Sequence, residues 1–212
     1  MAGVSTPVTD LAAKPYLKGG ASASALPPPV NHAGDLSPET IYRAELAYVW
    51  HSLRRLGVRP ADLEDLTQEV FLRAFRSFAD YDSTRPLRPW LFAIAYRLAA
   101  DHRQLARHRY EVGAETSSGL PVDAVDPSPG PEAALERSRA QALTLRALEA
   151  VSLDRRAVFV LHELNGHSIP ELADALEIPL NTAYSRLRLA RAEFEKEVRR
   201  LAEEPAGQGG AQ

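Results

Sequence analysis

Asn181, Thr182, Tyr184, Ser185, Arg186 and Arg188 fall within eight consecutive positions of a 212-residue chain. These side chains donate to and accept from base edges and phosphate oxygens. Their chemistry is recognition, with no covalent step. An α-helix fits the DNA major groove, so a helix must carry them. Leu180, Ala183, Leu187, Ala190 and Phe194 recur at steps of three and four and supply its buried side. A shorter helix precedes it, with Ile169, Leu172, Ala173 and Leu176 as its apolar stripe. Ser168 and Glu171 have capping-box spacing, in which each side chain satisfies the other residue's free backbone N–H. Pro179 marks the break between the two helices. Together they read as a helix-turn-helix. Any three-helix corner can carry the same pattern, and an arginine-rich surface helix is often only solvated.

Composition narrows the alternatives. The chain is 45% hydrophobic with a net charge of −3, enough apolar content for real cores but too acidic to coat nucleic acid unaided. Charge is unevenly placed. Residues 85–109 hold six Arg, two His and a single acid, Asp101, whereas residues 111–136 hold six acids and no Lys or Arg. This suggests DNA contact in one part and restraint of contact in another. With no cysteine, disulfides and thiolate metal sites are excluded. His102 and His108 are six apart, and His162 and His167 five apart, so neither pair sets two imidazoles on one helix face. No metal or cofactor is expected, and no Gly-rich phosphate loop occurs. No signal peptide or membrane-length apolar run is seen, so a soluble, cytoplasmic protein is expected.

The expected fold is all-α, two small helical domains joined by a flexible acidic linker, with no strand and no internal repeat. Residues 1–36 are rich in Ala, Pro, Ser and Gly and read as a disordered tail. Residues 37–110 form the first domain. Its first helix opens at Ser37-Pro38, carries Ile41, Ala44, Tyr48, Val49, Leu53 and Leu56 inward, and closes at Gly57. Its second spans about 60–78, with Leu63, Leu66, Val70, Phe71, Ala74 and Phe78 inward. Asp65, Gln68, Glu69 and Leu72 make a separate polar-edged stripe, which by pattern alone is an ordinary solvated face. A loop from Asp80 to Pro89 leads into a helix from Trp90 to about Arg109. There Trp90, Leu91, Ile94, Leu98 and Leu105 are expected inward and Tyr96, Arg97, Arg103, Gln104 and Arg107 outward. Aromatic and basic residues together suit single-stranded DNA. Residues 111–135 are the linker, 136–202 the second domain, and 203–212 a frayed tail.

Two blocks resemble a known family. Asp62 to Phe75, Phe78 to Asp82 and Pro89 to His102 are similar to region 2 of extracytoplasmic-function (ECF) sigma factors. Ala147 to Gly166, with the helix-turn-helix after it, is similar to their region 4. The resemblance covers about residues 38–110 and 136–200. It implies a protein that binds core RNA polymerase, recognises −35 and −10 promoter elements and promotes melting, without enzymatic activity of its own. By the same resemblance, Asp65, Gln68, Glu69 and Leu72 grip the polymerase. The loop residues Asp80, Tyr81, Ser83, Arg85 and Arg88, with Tyr96, Arg97, Arg103 and Arg107, meet the melted −10 element. Asn181, Thr182, Tyr184, Ser185, Arg186 and Arg188 read the −35 duplex. An anti-sigma partner is expected from family habit.

Geometry bears on the linker. Elements roughly 15–20 base pairs apart are separated by about 50–70 Å. The 26 residues from 111 to 136 reach ~85 Å when extended but only about 30 Å as a coil, so the polymerase would have to hold them stretched. Tyr184 and Leu189 stand where basic residues are common in the family, and Arg85 to Pro89 is richer in proline than usual, which leaves the sequence preference open. Two other readings stand beside this one. A dimeric helix-turn-helix repressor or activator would bind operators unaided. A helical adaptor acting through proteins alone would leave Arg103, Arg107 and Arg186 without a task.

Overall fold

Every element among the described residues is helical because apolar residues recur with helical spacing, and caps mark several of the ends. The computed structural model describes residues 37–110 and 131–203, and no strand occurs among them. Helix α1 spans Pro38–Arg55, with Ser37 accepting from the Thr40 N–H at its start. At its end Leu56 caps and Gly57 takes a left-handed φ of 88°. The Gly57 N–H bonds the Arg54 carbonyl at 3.0 Å and the Val58 N–H reaches back to Leu53 at 3.1 Å, a Schellman closure. A 3-10 turn at Pro60–Asp62 leads into α2, Leu63–Arg76, and a second one, Phe78–Asp80, follows it. Helix α3 spans Leu87–Tyr110.

Helix α3 starts three residues earlier than its sequence indicates. Pro89 reads as a boundary, but in the first turn of a helix the missing N–H had no partner to lose. Helices α1, α2 and α3 pack pairwise. Their core holds Tyr48, Leu53, Val70, Phe71, Leu91 and Phe92. Leu105, expected inward, lies 60% exposed near the far end of α3.

The second half comprises α4 (Pro131–Glu149), α5 (Leu153–Phe159), a π-helical turn (Val160–Leu164), α6 (Ile169–Ala175) and α7 (Leu180–Glu203). Residues 131–135, assigned to the linker from sequence, are therefore helical. Helix α4 begins at Pro131, ahead of the expected residue 136, because proline is at home in a helix's first turn. Helices α4, α5 and α6 all pack on α7. Of the residues read as tails, Glu203 is the last residue of α7; residues 1–36 and 204–212, and the rest of the linker, lie outside the described residues.

The two halves meet directly: α3 packs on α6 and α1 on α4, and their buried residues form one continuous cluster. Arg156 lies at the junction, 2% exposed. Its guanidinium donates to the carbonyls of Val151 (3.0 Å) and Glu149 (3.0 Å) and, across the junction, to Leu56 at 3.1 Å. It thus caps the carbonyl ends of α4 and α1 together, where a cation is favoured. Burial, with Arg103 nearby, pulls it down to about 10. Asn165 makes a second link, accepting from Arg55 at 2.8 Å and donating to the Tyr48 hydroxyl at 3.2 Å.

Candidate nucleic-acid and polymerase interfaces

The helix-turn-helix is built as its sequence indicates. Ser168 and Glu171 form the full capping box at the start of α6. The turn is a Schellman closure, with Ile178 N–H on the Ala173 carbonyl at 2.9 Å and Glu177 N–H on Asp174 at 3.1 Å. Glu177 occupies the left-handed position (φ 55°) where glycine is the default. After Pro179, helix α7 buries Ala183, Leu187, Ala190 and Phe194. Leu180, expected with them, is 45% exposed because it sits at the helix's first residue, beyond the edge of its partners.

At about 100° per residue, Asn181, Tyr184, Ser185 and Arg188 share an arc of roughly 100° on α7. All four are exposed, opposite the buried stripe. The Ser185 hydroxyl donates to the Thr182 carbonyl at 3.0 Å, which leaves its lone pairs facing out. Thr182 and Arg186 lie at the side of this face and are half-buried. Arg186 turns toward α5 and bonds Asp154 at 3.2 Å.

The loop before α3 is held by its own side chains. Tyr81 lies between Phe78 and Trp90, with ring centroids 5.6 and 4.7 Å away. Its hydroxyl donates to the Arg85 carbonyl at 2.6 Å. Burial pushes the phenol up, with Asp82 adding to the shift. Asp82 accepts from the Thr84 hydroxyl at 2.7 Å and the Thr84 N–H at 3.0 Å, which keep its carboxyl below the usual range. Ser83 and Arg85 stay exposed, and Arg85 meets Asp174 at 3.1 Å. Trp90 braces Tyr81 rather than standing free.

Arg88 departs from its expected place in the −10 set. It turns inward, 9% exposed, pairs with buried Glu45 at 2.7 Å and lies 5.1 Å over the Tyr48 ring. Its task is to pin the start of α3 to α1 and so to place the loop. A buried acid on α1 demanded this partner, and Glu45 lay outside the stripe read from sequence. Farther along α3, the Tyr96 hydroxyl donates to Asp154 at 2.8 Å, and burial with that carboxylate pushes Tyr96 up to about 12. Arg97 reaches Glu177 at 2.6 Å. Arg103 is half-buried, and its Nη1 lacks a hydrogen-bond partner. The Asp80 and Arg107 side chains lie outside the described residues.

On α2, Asp65, Gln68, Glu69 and Leu72 again share an arc of roughly 100°. Asp65 and Gln68 are exposed, Glu69 pairs with Arg73 at 2.9 Å, and Leu72 is 50% exposed. Leu72 thus stands as one large apolar side chain within an otherwise polar face. The structure also brings forward Asp154, Asp174 and Glu177, which sequence reasoning had not singled out. Their partners lie far away in the chain, and no local spacing signals them.

Both halves of the chain match known proteins. Residues 41–109 match the family model for Sigma-70 region 2, and residues 134–194 that for Sigma-70, region 4. The ECF RNA polymerase sigma factor SigL of Mycobacterium tuberculosis is 34% identical over 151 residues, which cover 71% of this chain and 82% of that protein. The RNA polymerase sigma factor CnrH of Cupriavidus metallidurans is 34% identical over 148 residues, covering 66% of this chain and 75% of CnrH. The fold is shared with RpoE of Bartonella quintana, solved with the anti-sigma factor NepR. There the TM-score is 0.60 at 18% identity, covering 76% of this chain and 96% of RpoE. It is shared also with CnrH bound to the cytosolic domain of CnrY, with a TM-score of 0.53 at 22% identity, covering 77% of this chain and 88% of that one. The two halves are thus sigma-70 regions 2 and 4, and the chain belongs to the ECF RNA polymerase sigma factors. The stand-alone repressor and adaptor readings find no such support.

Proposed function

We propose that this chain docks on core RNA polymerase through the α2 face of Asp65, Gln68, Glu69 and Leu72 and delivers it to promoters read at two places. Helix α7 enters the major groove of the −35 element with Asn181, Tyr184, Ser185 and Arg188, flanked by Thr182 and Arg186. The loop residues Asp80, Tyr81, Ser83 and Arg85, with Tyr96, Arg97, Arg103 and Arg107 on α3, meet the melted −10 strand. Arg88 is given the positioning role described above. Unstacking costs a few kcal/mol per base, which capture of the freed base offsets. Each module binds modestly, and fixing both on one polymerase raises the effective concentration of the second contact.

The observation that carries this reading is the pair of exposed, compositionally distinct faces on two domains of matching family. The chain is a specificity factor without catalysis of its own and works in the bacterial cytoplasm. No helix among the described residues is long and apolar enough to cross a membrane. An anti-sigma factor is a fitting regulator, since the structural relative RpoE was solved with the anti-sigma factor NepR.

Run-off transcription with core polymerase and fragments of the host genome tests the proposal. Specific transcripts that require both proteins are expected. Operator binding by the chain alone, with no transcripts, would overturn it in favour of a stand-alone regulator.

A further inference from the structure

Of the six large apolar side chains left exposed among the described residues, only two fall within about one turn of a single helix. They are Leu180, 45% exposed, and Tyr184, 53% exposed, at the start of α7. A leucine exposed singly on a surface is ordinary. A pair four residues apart forms a strip, because such residues stand roughly 40° apart around a helix. The strip sits on an ordered turn rather than a frayed end. The Thr182 and Ala183 N–H groups bond the Pro179 carbonyl at 2.9 and 3.1 Å and so close the first turn of α7.

The neighbours of the strip define what would cover it. Arg188, Asn181 and Ser185 are all exposed and follow at about 80°, 100° and 140° around the helix from Leu180. Strip and polar groups make one surface, with the strip along the margin nearest the buried Ala183 and Leu187. In a helix-turn-helix the N-terminal residues of the second helix reach the base edges, and Leu180 is the first residue of α7. Its side chain can neither donate nor accept a hydrogen bond. Among the groups that base pairs display in the major groove, the one apolar group is the C5-methyl of thymine. A protein seated here would have to bury the Arg188 guanidinium beside the strip, whereas DNA supplies that guanidinium with phosphate or guanine acceptors.

We propose that Leu180 is a specificity residue of this chain. With Tyr184 it forms an apolar seat for one thymine methyl, so the −35 element carries an A·T pair at one fixed position, recognised without a hydrogen bond. Asn181, Ser185 and Arg188 read neighbouring pairs through hydrogen bonds. Tyr184 carries the strip one turn along the groove, at a place where a guanidinium would select guanine. The proposal rests on the assignment of α7 to the −35 duplex. It adds to that assignment one residue and one chemical criterion, a methyl group.

Deoxyuridine supplies the test, because it lacks the methyl of thymine and keeps its hydrogen-bonding groups. Promoters found by run-off transcription provide the duplex. Thymines of the −35 element are replaced one at a time on both strands, and the dissociation constant of the holoenzyme is measured for each. One replacement should weaken binding by about fourfold, the worth of one buried methyl-sized group. The same replacement should have no effect on holoenzyme made with Leu180→Ala. Leu180→Met keeps an apolar side chain of similar reach and should retain the penalty. Alanine is a good helix former, and the position is exposed, so both variants should fold as wild type does. A −35 element without thymine, replacements that are all neutral, or an equal penalty with and without Leu180 would each overturn the proposal. Lost initiation by Leu180→Ala at a promoter indifferent to every replacement would place a protein on the strip instead. These outcomes, with specific transcripts in hand, leave the sigma-factor reading standing. Absence of any specific transcript would count against that reading itself and would take the proposal with it.

Discussion

Tyr96 and Arg186 are bound to the same carboxylate, that of Asp154, although they lie on α3 and α7 and are assigned to different promoter elements. Arg186 is held at the side of the recognition helix by this bond, poised but not presented. Freed from Asp154, it can reach a base edge or a phosphate. Arg186→Ala should weaken holoenzyme binding to a −35 duplex by roughly 1–3 kcal/mol, read by titration. The dissociation constant for core polymerase should stay at the wild-type value. Normal initiation by this variant from a −35-dependent promoter would remove Arg186 from the reading set.

The polymerase face makes a separate demand. Asp65→Ala with Gln68→Ala removes two exposed polar groups that no described contact uses for folding. Thermal stability should stay within about 0.5 kcal/mol, while affinity for core polymerase falls by at least ~1 kcal/mol, the threshold that marks a contributing interface residue. An unchanged dissociation constant would show that this face is only solvated.

Arg156 is the reverse case, since it touches neither DNA nor polymerase in this account. Replacing it with Met leaves the carbonyls of Leu56, Glu149 and Val151 short of a donor. Each buried carbonyl so orphaned costs roughly 1–3 kcal/mol, partly offset because a buried charge is also removed. Chemical denaturation should show a net loss of about 2–4 kcal/mol. A variant as stable as wild type would mean the junction does not depend on this bridge.

Glu177→Gly separates local strain from the contact it serves. The left-handed backbone at φ 55° disfavours a side chain by roughly 1–2 kcal/mol, and the exposed pair with Arg97 returns less than about 1 kcal/mol. A rise in thermal midpoint is therefore expected. A fall would show that the Arg97 contact outweighs the strain.

Stability should also depend on pH through His167. Its Nε2 is buried without a hydrogen-bond partner, and burial, aided by Arg88 and opposed by Glu171, lowers its pKa from the ordinary value. The unfolded chain then takes up a proton first. This contribution is fully present above about pH 6.5 and is lost as pH falls from there toward the depressed folded value. Glu171, also held low by Ser168, acts in a more acidic window. Between about pH 7 and 5, His167→Gln should lose stability less steeply than wild type. Parallel curves would assign the slope to other groups.

Much of this was legible in the sequence because it is local. Ser168 and Glu171 are three residues apart, Gly57 follows an apolar stripe, and α7 repeats at three and four. The faces on α2 and α7 could be drawn from spacing alone. What escaped has long-range causes. Glu45 and Arg88 lie 43 residues apart, Arg97 and Glu177 80, and Leu56 and Arg156 100. No periodicity announces such pairs. By sequence, Arg88 therefore groups with the −10 contacts, and Asp154, Asp174 and Glu177 are not singled out. Exposure near helix ends, as at Leu105 and Leu180, depends on where the neighbouring helix stops, which the stripe itself does not encode.

The most direct test of the central claim, two promoter elements read in two different states, combines footprinting with permanganate probing of unpaired thymines. With core polymerase and this chain, protection should appear separately at the −35 and −10 elements, and thymines should become reactive only at −10. Protection of one continuous duplex site by the chain alone, with no reactive thymine when polymerase is added, would contradict the account.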